Sequence, residues 1–260
     1  MASQAAANEI NVSGSTSVAR IMDVLAEQYN QTHPESYIAV QGIGSTAGLT
    51  LVHKGVIDVA MTSRYLTERE QAKGYTTAQL ASDGLTVVVN PANTVSDLTR
   101  EQLYNIYKGK ITNWKELGGE DQQIAVVTRE ASSGSRYSFE SLLGLTKVIN
   151  SRSVSDISPN NLVVNSNSMV KTLVNHNKQA VGFISTGSVD RSVKALSFEG
   201  VVGDNNAIAK GKYGLSRPFL LVYNPEQVDD NAKQFIAYIY SDTAQELIEE
   251  YGYTPLAKDD

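Results

Sequence analysis

Residues 129–139, Arg-Glu-Ala-Ser-Ser-Gly-Ser-Arg-Tyr-Ser-Phe, hold the densest chemistry in the chain. Arg129 ends an apolar run, and four residues later Ser133-Gly134-Ser135 opens a helical pattern. A guanidinium fork, hydroxyl donors and the N–H groups of a helix start are thereby collected at one point. That set suits a tetrahedral oxyanion. The same order of strand, Ser/Thr/Gly turn and helix recurs at Ser15-Thr16-Ser17 and at Gly44-Ser45-Thr46. Three such turns, one with an arginine, read as an anion site.

Each turn also has a plain structural reading. Ser15, Thr16 and Ser17 sit where a helix begins, and a serine there caps it for about 1 kcal/mol. Gly42 and Gly44 around Ile43 fit a tight turn as well as a close approach to ligand. An arginine after a strand is commonly a solvated charge, but Arg129 has donors as neighbours and an apolar strand behind it.

Other chemistry finds little support. There is no cysteine, and His33, His53 and His176 are not at ligand spacing, so no metal or cofactor is expected. Ser168-Met169-Val170-Lys171 matches S-x-x-K by chance, since no companion S-D-N or K-T-G element is present. A serine hydrolase would need a base beside its nucleophile, and no histidine lies in the three turns. The reading is therefore of a binding protein and not an enzyme. Trp114 reads as a packing anchor, and Glu246, Glu249 and Glu250 as a solvated helix face.

The 260 residues suffice for one large or two modest domains. A net charge of −6 argues against broad nucleic-acid binding but leaves room for one buried anion site. No apolar run is long enough to span a bilayer. Residues 1–8 lack the basic and apolar regions of a signal peptide, and their polar, linker-like character suits a chain that starts after a removed leader.

Around the turns, short β-branched runs alternate with helical patterns, which predicts an α/β fold with mainly parallel strands. Strands are expected at 9–12, 37–43, 58–62, 85–90, 123–128, 180–185, 193–198 and 219–223. Helices are expected at 18–29, 47–54, 100–107, 136–143, 168–175, 228–240 and 243–251. Val18, Ile21, Met22, Leu25 and Tyr29 share one helical face. The Ser- and Asn-rich stretch 150–167 reads as a long surface connection. Asn90-Pro91 and Asn224-Pro225 each stop a strand, so the runs before them are expected to cross between two lobes. Lobe I would comprise 1–87 plus 219–260 and lobe II 91–216, with a hinge near 85–91 and 216–223 and a ligand cleft between the lobes.

Nearly all of the chain resembles the substrate-binding proteins of phosphate ABC transporters. The resemblance rests on Val12-Ser13-Gly14-Ser15-Thr16-Ser17-Val18, Gln41-Gly42-Ile43-Gly44-Ser45, the LYNIYKGKITNWKEL run at 103–117, IAVVTREASSGSRYSF at 124–139, AVGFIS at 180–185 and GYTPL at 252–256. It implies a two-lobe periplasmic-binding-protein fold that closes on inorganic phosphate and hands it to a membrane permease. It further implies a monomeric, extracytoplasmic protein, commonly lipid-anchored. The matching ligand residues are Thr16, Ser17, Ser45, Arg129, Ser133, Gly134 and Ser135.

One departure bears on specificity. Some members place an aspartate just after the strand at 58–62, where this chain has Ser63. Such a carboxylate accepts a proton from hydrogen phosphate and repels sulfate, so sulfate and arsenate stay open as ligands here. Asp83 is a candidate for the missing carboxylate, and Asp83-Gly84 is equally a common turn pair. Arg64 is a further candidate to reach the anion or brace a carboxylate.

Overall fold

A computed structural model describes residues 8–257. The expectation placed on the opening residues falls, up to residue 7, outside that stretch. Contacts divide the chain into two compact units, Met1–Ser82 with Pro218–Asp260, and Asp83–Arg217. Asp83 is therefore the first residue of the second unit and Arg217 the last.

The chain runs through β1 (Asn8–Gly14), α1 (Thr16–Thr32), β2 (Ser36–Gly42), α2 (Ser45–His53), β3 (Val59–Thr62) and α3 (Glu68–Gln71). β4 (Thr76–Val89) leads into the second unit. There follow β5 (Asp97–Leu98), α4 (Arg100–Tyr107), β6 (Ala125–Arg129), α5 (Gly134–Leu143), β7 (Thr146–Ile149), β8 (Arg152–Ser155), β9 (Leu162–Val164), α6 (Asn167–His176), β10 (Ala180–Ser185), β11 (Lys194–Ala195), β12 (Ser197–Phe198) and α7 (Asn205–Ala209). β13 (Ser216–Tyr223) returns to the first unit, which α8 (Asp230–Tyr238) and α9 (Asp242–Glu250) complete.

In the first unit β2, β1 and β3 pair in parallel and β13 joins β3 antiparallel. Side-chain alternation along these strands builds a core on each face. Phe219 and Leu221 join Val12 of β1 and Val18, Ile21, Met22, Leu25 and Tyr29, the expected apolar face of α1. Leu220 and Val222 point the other way, onto Leu49 and Val52 of α2. Both helices are thus clamped by their apolar sides, with their N-termini at the C-terminal ends of parallel strands, where open α/β sheets bind ligands.

In the second unit β10 runs antiparallel to β4, and β6 and β9 continue in parallel. Phe139 of α5 stacks on Phe183 of β10 at 3.9 Å and meets Tyr107 of α4 edge-on at 4.7 Å. That aromatic cluster fixes α5 against the sheet. Trp114 packs inside the unit and donates from Nε1 to the Gln179 carbonyl at 2.9 Å.

Three expectations need correcting. The polar stretch 150–167 is not simply a connection, since it contains β8 and β9. Asn150 and Ser151 both have positive φ (50° and 58°), the geometry of a tight hairpin turn joining β7 to β8. The strand expected at 193–198 is broken, because Lys194–Ala195 pairs with β4 whereas Ser197–Phe198 pairs with β5. β4 begins at Thr76 rather than Leu85.

Candidate anion-binding site

In the first unit the site is built on backbone that only glycine permits. Gly14 ends β1 with φ 148°, and a Cβ there would lie 2.1 Å from the Met61 carbonyl oxygen. This close approach lets the Ser15 N–H donate to the Met61 carbonyl at 2.8 Å, so α1 starts directly beside β3. The Gly14 carbonyl in turn accepts from the N–H groups of Ile43 and Gly44, each at 2.8 Å, and draws in the start of α2. Gly44, with φ 96°, caps α2 without a side chain, so the cap residue offers no side-chain acceptor to the first N–H groups of that helix.

Three hydroxyls meet there. Ser15 Oγ donates to Ser63 Oγ at 2.9 Å and accepts from the Val18 N–H at 3.3 Å. Ser45 Oγ accepts from the Ser63 N–H at 3.2 Å and lies 3.4 Å from Ser63 Oγ. Ser15, Ser45, Ser63 and Ser17 are all buried, and Thr16 is half-buried. Capping and anion binding are compatible at Ser15, because the cap consumes its oxygen and leaves the other first-turn N–H groups oriented along the helix axis.

Arg64 belongs behind this cluster. Its guanidinium pairs fork-to-fork with Glu70 at 2.8 and 2.9 Å, donates to the Tyr65 carbonyl at 3.0 Å and reaches Thr46 Oγ1 at 3.4 Å. Burial alone would push the Glu70 carboxyl up. The hydrogen bonds from Arg64 and Thr67 and the Arg64 charge outweigh that and hold it below its ordinary value.

In the second unit Arg129 closes β6, almost fully buried. Its Nε and Nη2 donate to the two oxygens of Glu130 at 2.9 and 3.0 Å, and Nη2 also reaches the Asn165 carbonyl at 3.3 Å. Ser133 caps α5 by accepting from the Arg136 N–H at 3.2 Å. Arg136 reaches back to the Arg129 carbonyl at 2.9 Å and is held by Glu140 at 2.7 Å. The end of β6 and the start of α5 are thus tied together, and Arg129, Ser133, Gly134 and Ser135 are all buried.

Asp83 sits in this unit with no exposure. Its Oδ1 accepts from Ser185 Oγ at 2.8 Å, and its Oδ2 accepts from Nε and Nη2 of Arg217 at 3.0 and 2.9 Å. These three contacts hold both oxygens of the carboxylate from within the second unit. Asp83 thus serves as an internal brace between β4, β10 and β13. Burial raises its carboxyl above the ordinary value, and the Arg217 charge, the Ser185 and Arg217 hydrogen bonds and the Thr186 N–H offset part of that rise. Arg217 was not anticipated. Its signal was a charged residue at the mouth of an apolar strand, Ser-Arg-Pro-Phe-Leu-Leu-Val-Tyr.

The histidines have other engagements. His33 stacks on Tyr29, His53 bonds to Tyr75, and His176 bonds to the Thr172 carbonyl. Lys171 of the S-x-x-K match pairs with Asp190 at 2.6 Å. Among the described residues, no cluster of His, Asp or Glu has the makings of a metal site, and no helix is long and apolar enough to cross a membrane.

Comparison with known proteins agrees with this geometry. Residues 1–243 match the model of the PBP superfamily domain. The phosphate-binding protein PstS of Bacillus subtilis is 30% identical over 263 aligned positions, covering 96% of this chain and 82% of that relative. A crystal structure of an ABC-type phosphate transport receptor from Vibrio cholerae is 65% identical with a TM-score of 0.82, covering 95% of this chain and all of that one. A phosphate ABC transporter substrate-binding protein from Clostridium perfringens, solved with bound phosphate, is 36% identical with a TM-score of 0.90, covering 96% of this chain and all of that one. With strand-to-helix turns of this kind in both units and relatives matched along nearly its whole length, the chain belongs to the PBP superfamily, among the PstS-type phosphate-binding proteins.

Proposed function

We propose that this chain is a receptor that captures inorganic phosphate outside the cytoplasm and delivers it to an ABC permease. Its relatives are receptors of transporters rather than enzymes, and the same is proposed here. The single observation that carries the reading is the Arg129 turn. A nearly fully buried arginine closes the strand whose end is tied to the capped start of α5, a setting in which a divalent oxyanion is favoured and a cation or a neutral sugar is not.

In this reading the phosphate-binding residues are Thr16, Ser17, Ser45 and Ser63 in the first unit, and Arg129, Ser133, Gly134 and Ser135 in the second. Removing an anion from water costs several kcal/mol per charge, so donors on most of its oxygens are required. Each unit offers donors of that kind: two helix starts and a hydroxyl cluster in the first, a helix start with an arginine in the second. Asp83 acts from behind the site rather than on the ligand.

Sulfate and arsenate are the rival ligands, because Ser63 stands where some family members have a carboxylate. Calorimetric titration with phosphate and with sulfate between pH 5 and 9 tests the reading. Saturable one-to-one phosphate binding that exceeds sulfate binding is expected; equal affinity for the two anions contradicts a phosphate-selective receptor.

A further inference from the structure

We propose that Arg217 is a positioning residue for anion binding, which fixes the Ser135 hydroxyl as a hydrogen-bond donor toward the ligand. The proposal rests on the phosphate reading above and deepens it.

Four elements of the second unit converge on this contact. Arg217 Nη1, from the start of β13, donates to Ser135 Oγ in the first turn of α5 at 2.7 Å. The opposite edge of the guanidinium is held by Asp83 of β4, and Asp83 is held by Ser185 at the end of β10. Arg217 is 3% exposed, Asp83 0% and Ser135 2%.

A serine hydroxyl has one hydrogen and two lone pairs, whereas a guanidinium only donates and stays protonated in proteins. The contact therefore has one polarity. Ser135 Oγ is the acceptor, and its own hydrogen is turned away from Arg217. A charged donor on one side of a hydroxyl also makes that hydroxyl a better donor on the other. Because the arginine does not titrate, this orientation persists across the pH range of the fold. Ionised Asp83 cancels the added charge, so Arg217 acts through Ser135 instead of adding a second cation to the site.

The location supports a reason beyond stability. Apolar residues of similar volume often replace a buried ion pair at no cost in stability. Here the pair lies where the flanking strand is already apolar, with Phe219, Leu220, Leu221 and Val222 following. What an apolar pair cannot supply is the third contact, to Ser135.

The test is a double-mutant cycle read by phosphate affinity. The ion pair is removed as a unit in Asp83→Leu/Arg217→Met, once with Ser135 intact and once with Ser135→Ala, and each protein is titrated calorimetrically with inorganic phosphate. With Ser135 present, loss of the pair is expected to weaken binding about tenfold, the scale of one charge-assisted hydrogen bond. With Ser135→Ala, the same loss is expected to change binding less than about twofold, since the effect travels through that hydroxyl. Equal losses in both backgrounds, or no loss with Ser135 present, overturn the proposal. Urea midpoints establish that each variant folds. If the apolar pair does not fold, Arg217→Lys replaces it in both backgrounds, because a point charge cannot bridge Asp83 and Ser135 as the fork does. Absence of phosphate binding in the unaltered protein would instead defeat the phosphate reading itself.

Discussion

Ser15 Oγ donates to Ser63 Oγ across 2.9 Å, joining the cap of α1 to the residue that follows β3. Ser45 completes the group from the start of α2. This part of the first unit is therefore a hydroxyl cluster, where a carboxylate would impose a choice between protonated and fully ionised anions. Ser63→Asp is expected to restore that choice. A buried carboxylate accepts a proton from hydrogen phosphate and repels an anion without one, so sulfate affinity should fall more than about tenfold relative to phosphate. Competition calorimetry checks this, and a parallel fall for both anions would remove Ser63 from the site.

Arg129 should dominate the second-unit contribution. Its truncation in Arg129→Ala is expected to cost about 2–5 kcal/mol of phosphate binding, because the guanidinium is desolvated and held in a fixed orientation by Glu130. Arg129→Lys should recover only part of the loss, since an ammonium cannot keep the two-point Glu130 contact while presenting a second edge. Titration of both variants decides it. A change under threefold for Arg129→Ala would place the residue outside the site.

Gly48 sets how closely α2 approaches β1. A Cβ at that position would lie 2.6 Å from the Ser13 carbonyl oxygen and 2.7 Å from Gly14 Cα, both backbone atoms with little room to move. Gly48→Ala is expected to destabilise the fold by about 1–3 kcal/mol by overpacking. It should also weaken phosphate binding, because α2 carries Ser45 away as it shifts. Urea denaturation and titration on the same protein measure the two effects.

Much of this was legible because local chemistry and tertiary structure agree. β10 occupies Ala180–Ser185 and α4 occupies Arg100–Tyr107, the ranges the sequence patterns predict. The first is an apolar run buried along its whole length. The second starts at a Thr99–Gln102 capping box that the sequence spells out. The three turns were visible for the same reason, since strand, small polar residue and helix are adjacent in the chain. β8 was not visible, because a strand of mostly exposed, polar residues carries no alternating apolar signal, and β9 was not, because three apolar residues are too short a run to carry a period. Arg217 and its partner Asp83 are 134 residues apart, and nothing local marks either residue as half of a pair. Asp83 drew attention for its place in the chain, but the donors that hold its carboxylate, Ser185 and Arg217, are residues that only folding brings near.

The Arg64–Glu70 pair predicts a pH dependence. The Glu70 carboxyl is lower in the folded protein than in the unfolded chain, so the unfolded state binds the proton more readily. Its stabilisation is present above the unfolded value, around pH 4.5, and is lost as pH falls through the folded value. Glu70→Gln should destabilise the protein at pH 7 by about 1–3 kcal/mol, toward the lower end because Glu70 is partly exposed. The gap from the unaltered protein should narrow as the pH falls below 4.5. Urea midpoints at pH 7 and in mild acid test both sign and window.

The central claim is that the donors around Arg129 hold phosphate. Equilibrium dialysis of radiolabelled inorganic phosphate tests it most directly, on protein unfolded, stripped of anions and refolded, alongside Arg129→Ala treated identically. The account predicts one phosphate per chain for the unaltered protein and a loss of affinity of at least about thirtyfold for the variant, the lower bound of the binding energy assigned to Arg129. No bound phosphate, or equal retention by both proteins, would contradict it.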